Sequence, residues 1–309
     1  MKTILLTGSR GFVGSNILNS NLSKKFNILS PTKSELDLIN KDSIKNYLKE
    51  NNPFLIIHAA GKVGGILKNI SSNYTFLKEN SLIGINLISA ALESDIKNFL
   101  NISSSCIYPM NFDRPIKEQD LMSSYLESTN EGYALAKIVA LKLTTMISSN
   151  KSVNYKTVVP CNLYGPNDNF NELDAHMIPA VIHKIHQAKK LKLNEVDIWG
   201  DGKARREFMF IKDFVDFILY SIDNFENMPQ VLNVGTGKDY TIDEYYTKIS
   251  KIIGYEGNFD HDLSKPSGMR RKLVDIDCLR SYGWKSSYSL EQGIRETYNY
   301  YLKNYENKI

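Results

Sequence analysis

The feature that most constrains the fold of this chain is a glycine-rich turn close to the N-terminus. Thr3 to Thr7 is a short apolar run typical of a buried strand. The turn Thr7-Gly8-Ser9-Arg10-Gly11-Phe12-Val13-Gly14 follows it directly and leads into a helical pattern. Glycines are needed where the backbone must approach a pyrophosphate, whose charge then lies at the N-terminus of the helix. A glycine turn alone can be no more than a tight turn, but this position predicts a dinucleotide site. The predicted contacts within the turn are Gly8, Arg10, Gly11, Phe12, Val13 and Gly14.

The rest of the first half alternates short apolar runs with helical patterns, which is typical of βαβ units and a parallel sheet. Further strands are predicted at Phe26 to Ser30, Phe54 to His58, Phe99 to Ser103 and Lys156 to Pro160. Helices are predicted at Gly14 to Asn21, Asp42 to Asn51, Tyr74 to Ser94 and Tyr133 to Ser149. We therefore expect an α/β fold with a Rossmann-type, doubly wound parallel sheet.

The pattern becomes less regular after about Gly165. Helices are predicted at Met177 to Lys189, Ile211 to Ile222, Thr241 to Ile253 and Leu290 to Tyr301, with a short strand at Val231 to Val234. We expect residues 1–166 to form a nucleotide-binding Rossmann domain that is completed by about residues 207–236. Residues 167–206 and 237–309 are expected to form a smaller α/β substrate lobe, with a substrate cleft between the two units.

Composition excludes several classes of protein. The 309 residues carry a formal net charge of +4, which is too small to indicate a nucleic-acid binder. The three cysteines, Cys106, Cys161 and Cys278, are widely spaced. That spacing argues against a disulfide framework or a metal site and favours a reducing compartment. No apolar run approaches the roughly 20 residues needed to span a bilayer, and the N-terminus lacks the features of a signal peptide. The expected location is the cytoplasm.

The loop after the second predicted strand distinguishes between the two nicotinamide cofactors. NAD sites usually place an acidic residue there to bind the ribose hydroxyls, but this loop has none before Glu35. Arg10 and Lys33 could instead pair with a 2′-phosphate, although each could also be a solvated surface cation. We therefore expect NADP(H) as the cofactor. The other predicted cofactor contacts outside the glycine turn are Asp37, Leu38, Ala59 and Ala60.

A tyrosine and a lysine are spaced for proton transfer. Tyr133 and Lys137 lie one helical turn apart on the same face of a predicted helix. A neighbouring ammonium, together with the positive charge of an oxidised nicotinamide, favours the phenolate, so the sequence predicts a lowered pKa for Tyr133 and a role in shuttling a proton. A YxxxK pair is common by chance. Here, however, Ser104 follows a predicted parallel strand, where ligands of open α/β sheets bind, and its hydroxyl could hydrogen-bond a substrate carbonyl.

These residues resemble the extended short-chain dehydrogenase/reductase family over nearly the whole chain, and more narrowly the GDP-L-fucose synthase subfamily. The segments that carry the resemblance in the first half are Ala59-Ala60-Gly61-Lys62-Val63-Gly64-Gly65-Ile66, Ser104-Ser105-Cys106-Ile107-Tyr108-Pro109 and Thr129-Asn130-Glu131-Gly132-Tyr133. Those in the second half are Asn162 to Phe170, His176-Met177-Ile178-Pro179-Ala180, Arg206-Glu207-Phe208, Asn233-Val234-Gly235-Thr236-Gly237 and Arg271-Lys272-Leu273.

The resemblance implies an activity and a set of site residues. It implies reduction of the 4-keto group of a GDP-4-keto-6-deoxyhexose with epimerisation at carbons 3 and 5, in a homodimer formed through the long helices 74–94 and 133–149. The implied catalytic residues are Ser104, Cys106, Tyr133, Lys137 and His176, of which Lys137 and His176 also contact the cofactor. Without the resemblance, Cys106 could be a small buried hydrophobe and His176 an ordinary loop histidine. The implied substrate-binding residues are Asn162, Lys184, Trp199, Arg206 and Lys272.

Two positions depart from the pattern of the subfamily. Lys184 stands where an arginine is expected near the substrate, and Gly132 stands where a proline usually precedes the tyrosine. Both could alter the sugar that is accepted, so a reductase acting on a GDP-4-keto-heptose without epimerisation is the alternative. A non-catalytic NADP sensor is a more distant alternative. Such a protein could dispense with Tyr133 and Lys137, and this chain keeps both.

Overall fold

A computed structural model describes residues 1–110, 112–171, 175–265 and 268–306. Its strands are β1 (Thr3–Thr7), β2 (Asn27–Leu29), β3 (Leu55–His58), β4 (Asn98–Ile102), β5 (Asn154–Pro160), β6 (Asn162–Tyr164), β7 (Glu195–Trp199), β8 (Arg205–Arg206), β9 (Phe208–Phe210), β10 (Val231–Val234), β11 (Tyr240–Thr241), β12 (Asn258–Asp262) and β13 (Arg271–Lys272). Its α-helices are α1 (Phe12–Leu18), α2 (Leu22–Lys25), α3 (Lys41–Asn51), α4 (Ile66–Ser71), α5 (Asn73–Glu93), α6 (Glu131–Asn150), α7 (Met177–Lys190), α8 (Ile211–Asp223), α9 (Ile242–Ile253), α10 (Asp277–Tyr282) and α11 (Leu290–Asn304).

The central sheet has six parallel strands in the order β2-β1-β3-β4-β5-β10. A parallel sheet covered on both faces requires apolar side chains on both sides of each strand. Strand β1 shows this directly, because Ile4 and Leu6 belong to one buried cluster and Leu5 to another. The predicted Rossmann-type α/β fold is confirmed.

The order of the strands places a crevice between β1 and β3. The chain runs from β1 to β2 on one side and then returns past β1 to β3 on the other. Such a reversal opens a crevice at the carboxyl ends of the two strands, where ligands of open α/β sheets bind. Thr7 and His58, the last residues of the two strands, are paired in register there.

Helix ends follow local capping residues, so the predicted helices agree closely with the observed ones. The Asn40 side chain accepts hydrogen bonds from the first turn of α3, and Asn52 ends that helix in the left-handed conformation. Thr241 and Glu244 form a reciprocal capping box at the start of α9. These signals lie within a few residues of the helix, where sequence patterns are most informative.

The second half adds small sheets that sequence patterns did not predict. One has the order β11-β8-β13, and the pairs β12-β7 and β6-β9 form two more. Asp239 holds the first of these together, because its buried carboxylate pairs with Arg205 at 3.0 Å and with Arg271 at 2.5 Å. None of the helices in the described part of the chain combines the length and apolar character needed to cross a membrane.

Candidate active site

The glycine turn after β1 is packed against the segment that follows β3. Gly8 has φ of +73°, and a Cβ atom on it would lie 2.6–2.7 Å from the main chain of Ala59 and Ala60. A Cβ on Gly14 would collide with the carbonyl group of Gly8. A Cβ on Gly11, in contrast, would come no closer than 3.4 Å to the carbonyl oxygen of Gly8. The turn therefore forms one wall of the crevice and leaves Gly11 exposed, which fits a dinucleotide pyrophosphate.

Two cations lie on the loops that follow β1 and β2. Arg10 and Lys33 are both exposed, and the Ser9 hydroxyl donates to the carbonyl oxygen of Ser30 at 3.5 Å, which joins the two loops. The Glu35 carboxylate accepts a hydrogen bond from the main-chain N–H of Thr32 at 2.7 Å. That bond is the main reason why the pKa of Glu35 is lowered, with a smaller contribution from the charge of Arg10. The nearest acidic residue is thus bonded within its own turn, an arrangement that fits a 2′-phosphate beside the cations.

His58 forms the floor of the crevice. Its Nδ1 atom lies 2.9 Å from the hydroxyl oxygen of Thr7, and both side chains are buried. Burial lowers the pKa of His58 to about 3, helped by the nearby charge of Lys137. The imidazole is therefore neutral, and its role is to support the crevice rather than to exchange protons near pH 7.

Ser104 lies on the accessible side of a short 3₁₀ turn at the carboxyl end of β4. Its Oγ atom accepts a hydrogen bond from the main-chain N–H of Cys106 at 3.4 Å. Ser103 and Ser105 are both buried, and neither hydroxyl finds a partner among the described residues. Ser104, which is half-buried, is thus the serine that the turn presents to a ligand.

Tyr133 and Lys137 extend from the first two turns of α6 beside this turn. The Lys137 ammonium is buried, donates to the carbonyl oxygen of Ile102 at 3.0 Å, and lies 5.7 Å from the centroid of the Tyr133 ring. Burial lowers the pKa of Lys137 to about 8 and raises that of Tyr133 above its ordinary value. The predicted lowering of the Tyr133 pKa is therefore wrong for this structure, because desolvation of the phenol dominates. The phenol is protonated at neutral pH, as a proton donor must be.

Cys106 lies at the centre of the charged groups of the site. Burial raises the pKa of its thiol, while the positive charges of Lys272 and Lys137 and a bond with Ser104 partly oppose that rise. Burial raises the pKa of Tyr133 and lowers that of Lys272, and the negative charge of an ionised Cys106 would raise the pKa of both groups. The structure therefore brings one predicted substrate-binding cation, Lys272, to the predicted catalytic residues.

Arg206 and Glu127 lie next to Lys272. The Arg206 guanidinium donates to the main-chain oxygens of Arg205 at 2.9 Å and Met269 at 2.5 Å. Burial lowers the pKa of Lys272, while the charge of Glu127 raises it and the charge of Arg206 lowers it further. Two cations and one carboxylate therefore line this part of the cleft.

His176 occupies the position before the first residue of α7. The residue is exposed, and desolvation by the protein around it lowers the pKa of its imidazole. The imidazole is therefore neutral near pH 7 and can accept a proton.

The other three predicted substrate-binding residues are Lys184, Trp199 and Asn162, and they make separate contacts. Lys184 forms an ion pair with Asp197 at 2.6 Å and donates to the carbonyl oxygen of the same residue at 2.8 Å. Trp199 is 39% exposed, and Lys265 lies 5.7 Å from its ring centroid. Asn162 donates to the carbonyl oxygen of Glu207 at 3.0 Å. Asn162 thus lies beside Glu207, the residue after Arg206, whereas Lys184 on α7 and Trp199 on β7 belong to a separate group.

Comparison with known proteins identifies the family. Residues 4–235 match the model of the NAD dependent epimerase/dehydratase family. The chain belongs to this family. It is 52% identical to the GDP-L-colitose synthase of Yersinia pseudotuberculosis, covering 98% of this chain and 99% of that protein. It is 44% identical to the GDP-L-fucose synthase of Azorhizobium caulinodans, covering 99% and 98%.

A solved structure of the GDP-mannoheptose C4 reductase of Campylobacter jejuni with NADP bound is also similar. It superposes with a TM-score of 0.88 at 29% identity and covers 97% of this chain and 98% of that one. The resemblance to the GDP-L-fucose synthase subfamily of extended short-chain dehydrogenases/reductases is confirmed by these relatives. Within the described ranges, no group of three or more His, Cys, Asp or Glu side chains is arranged to hold a metal ion.

Two supporting side chains of this epimerase-family protein were missed by sequence reasoning. The Asn80 amide accepts from the main-chain N–H of Lys62 at 2.7 Å and donates to the carbonyl oxygen of Lys62 at 3.0 Å, which holds the segment after Ala60 beside Lys137. Glu207 is 1% exposed and accepts main-chain hydrogen bonds from Thr236, Gly237 and Val274. The sequence indicated a supporting role only for Glu207, through a carboxylate directly before the apolar residues Phe208–Phe210. No sequence pattern indicated Asn80.

Proposed function

We propose that this protein is an NADPH-dependent enzyme that reduces the 4-keto group of a GDP-4-keto-6-deoxyhexose and epimerises the carbons next to the ketone. The observation that carries the proposal is the convergence of Ser104, Cys106, Tyr133 and Lys137 at the end of β4, beside the crevice of the sheet. The two relatives at 52% and 44% identity support this class of substrate, since both are named as synthases of GDP-linked sugars.

The cofactor is NADP(H), and the residues of the crevice fit it. The backbone of half-buried Gly8 and exposed Gly11 would hold the pyrophosphate, and Arg10 with Lys33 would hold the 2′-phosphate. Loop residues after β2 and β3 complete the proposed contacts: Asp37, Leu38, Ala59 and Ala60. When bound, NADPH supplies the hydride that the ketone carbon receives.

In reduction, the chain itself supplies a proton and polarises the carbonyl group of the substrate. The protonated phenol of Tyr133 gives its proton to the ketone oxygen, which becomes the hydroxyl of the product. The Lys137 ammonium stabilises the phenolate of Tyr133 that remains. The Ser104 hydroxyl hydrogen-bonds the ketone oxygen and so polarises the carbonyl group. A non-catalytic sensor is disfavoured because each of these groups is present.

Epimerisation requires removal of a proton beside the ketone and its return to the opposite face. The 4-keto group acidifies the hydrogens on both adjacent carbons, and Cys106 with His176 forms the acid/base pair. The thiol is protonated and the imidazole neutral at pH 7, so the pair holds one proton to exchange. The positive charge of Lys272 lowers the cost of forming the thiolate of Cys106.

The nucleotide diphosphate would bind in the second half of the chain. Residues 167–206 and 237–309 form the proposed substrate lobe against the Rossmann domain of residues 1–166 and 207–236. Arg206 and Lys272 lie beside the catalytic group and would bind the diphosphate, with Asn162 near the sugar. Lys184 and Trp199 would contact the outer part of the nucleotide.

A GDP-4-keto-heptose is a second candidate for the substrate. Solved relatives of similar fold include a GDP-mannoheptose C4 reductase, which favours a reductase acting on a GDP-4-keto-heptose in polysaccharide biosynthesis. The hexose is preferred because identity to the colitose and fucose synthases is higher, at 52% and 44% against 29%. Colitose lacks the 3-hydroxyl group of L-fucose, so both belong to the proposed class of 6-deoxyhexose products.

The test is product analysis by NMR after incubation with NADPH in deuterated water. The substrates are GDP-4-keto-6-deoxymannose, its 3-deoxy counterpart and a GDP-4-keto-heptose. Turnover of a hexose with deuterium at carbon 5, and also at carbon 3 where that carbon bears a hydroxyl, is expected. Cys106→Ala should abolish this deuterium incorporation, while Tyr133→Phe should lower NADPH oxidation by about 10²- to 10⁴-fold. Exclusive turnover of the heptose without deuterium would replace the proposal with the alternative.

We further propose that the protein is a cytoplasmic homodimer. Apolar side chains on the outer face of α5 and α6 are exposed, including Leu82, Ile85, Leu135 and Met146. Two copies packing these helix pairs together would cover this surface. Light scattering should give twice the chain mass of 35.2 kDa, and Ile85→Lys with Leu135→Lys should give the single mass.

A further inference from the structure

The helix that carries Tyr133 is capped by a side chain from another helix. Asn130 occupies the N-cap position of α6 but makes no capping hydrogen bond, and its side-chain oxygen has no partner among the described residues. The main-chain N–H of Gly132 instead donates to Oδ1 of Asn73 at 2.5 Å. Asn73 is the first residue of α5. The donor that a local cap would satisfy is thus satisfied from 59 residues earlier in the chain.

The same amide also holds the turn that precedes α6. The Nδ2 atom of Asn73 donates to the carbonyl oxygen of Ser128 at 3.3 Å. One side chain therefore joins both ends of the segment from Ser128 to Gly132. This segment connects Glu127, which lies beside the substrate-binding cations, to Tyr133.

Gly132 is the residue that makes this cap possible. A Cβ atom at this position would collide with both the main-chain oxygen and Oδ1 of Asn73. A proline would in addition lack the N–H that Asn73 accepts. The departure from the proline expected before the tyrosine is therefore explained by the packing of α5 against α6 through Asn73, with no contact to a sugar required.

We propose that Asn73 is a positioning residue for reduction, which fixes the phenol of Tyr133 by capping α6 from α5. This inference rests on the proposed function. Removing the cap frees the first turn of α6, and displacing a reacting group by about 1 Å can lower a rate by up to about 10²-fold. Substrate and cofactor binding should change little, because Asn73 contacts neither the glycine turn nor the cations of the cleft among the described contacts.

The experiment compares Asn73→Ala, Asn73→Asp and Asn150→Ala with the wild-type protein. Asn73→Ala should lower kcat for NADPH oxidation by about 10- to 100-fold with KM values within about threefold. Asn73→Asp keeps the acceptor oxygen for the Gly132 N–H but loses the donor to Ser128, so kcat should be clearly higher than in Asn73→Ala and still below that of the wild-type protein. Asn150→Ala removes a hydrogen bond to Met146 at the other end of α6 and should leave kcat unchanged.

The pH dependence of kcat separates positioning from a general loss of stability. In Asn73→Ala the arm that reports Tyr133 and Lys137 should shift, because their relative placement changes, whereas simple destabilisation would leave the shape of the profile intact. A wild-type kcat in folded Asn73→Ala would overturn this inference and leave the proposed function standing. So would a kcat in Asn73→Asp as low as that of Asn73→Ala. A wild-type protein inactive on every 4-keto sugar would overturn the proposed function and this inference with it.

Discussion

Lys137 is the residue whose charge state most directly limits the proposed chemistry. Burial lowers its pKa to about 8, so the ammonium is present below that pH and is lost as pH rises through it. We predict that kcat/KM is level from about pH 6.5 to 7.5 and falls about tenfold per unit well above pH 8. Steady-state rates of NADPH oxidation across this range provide the measurement.

Lys137→Arg is the matched variant for that profile. Arginine keeps its charge throughout the range, so the activity that remains, however low, should show no fall near pH 8. An unchanged fall in this variant would assign the titration to another group.

His58 predicts a pH dependence of stability instead of activity. Its pKa is about 3 in the folded protein and near 6.5 when unfolded, so the unfolded chain binds more protons between these values. Stability from this residue is present above pH 6.5 and is lost progressively as pH falls toward 3. Between pH 7 and pH 5 the loss should be about 2 kcal/mol.

Denaturant unfolding of wild type and His58→Asn at pH 7 and pH 5 measures that contribution. Asparagine can still hydrogen-bond Thr7 but does not titrate. The variant should therefore lose about 2 kcal/mol less than wild type on acidification, whatever its absolute stability. Identical losses would show that His58 is not the group responsible.

The candidate reacting residues could be named from sequence, but their protonation could not be predicted. The spacing of Tyr133 and Lys137, the position of Ser104 after a strand and the resemblance to a family together selected them, and their roles remain predictions. The direction of the Tyr133 pKa shift was predicted wrongly, because it depends on desolvation that only the folded chain imposes. Asn73 and Asn80 act through contacts with distant main-chain atoms, which no local pattern indicates.

At the scale of an element, the glycine turn needs glycine at one position for folding and at another for cofactor binding. Gly8 has a positive φ and its Cβ would meet the main chain of Ala59 and Ala60, so Gly8→Ala should destabilise the fold. Gly11 has ordinary extended backbone and room for a Cβ within the protein. We predict that Gly11→Ala retains wild-type stability but weakens NADPH binding at least tenfold, because the new methyl group would occupy the place of the pyrophosphate.

Calorimetry of NADPH binding alongside thermal unfolding tests this pair of variants. Gly8→Ala should lower the melting temperature by several degrees as well as weakening binding. Wild-type NADPH affinity in Gly11→Ala would show that the pyrophosphate does not lie against the turn.

Element boundaries were predictable wherever a cap or a continuous apolar run marks them. Strands β1 and β10 begin and end at the predicted residues, and α5 to α7 agree within two residues at each end. The strands of the small sheets in the second half were missed because they are short and several of them are polar. In β12, for example, no residue is buried, and the strand exists through its pairing with β7.

At the scale of the whole molecule, Glu207 joins the central sheet to the proposed substrate lobe. It lies between β8 and β9, and its carboxylate accepts from Thr236 and Gly237 after β10 and from Val274 after β13. Its neighbour Arg206 and the nearby Lys272 are the cations proposed for the diphosphate. Their placement therefore depends on the same buried carboxylate.

We predict that Glu207→Gln raises KM for the GDP-sugar about tenfold while the Kd for NADPH stays within about twofold. One carboxylate oxygen accepts from Thr236 and Gly237 and the other from Val274, so an amide must turn an N–H toward one of these donors. That mismatch should cost about 1–3 kcal/mol of unfolding free energy and shift Arg206 and Lys272.

Ile249→Val, a buried change on α9 of the same lobe, is the control and should also lower stability, by about 0.5–1.5 kcal/mol. Because Ile249 has no polar group that could bond the Glu207 carboxylate or its donors, this control should keep wild-type KM. An equal rise in KM in both variants would mean that Glu207 acts only through general stability.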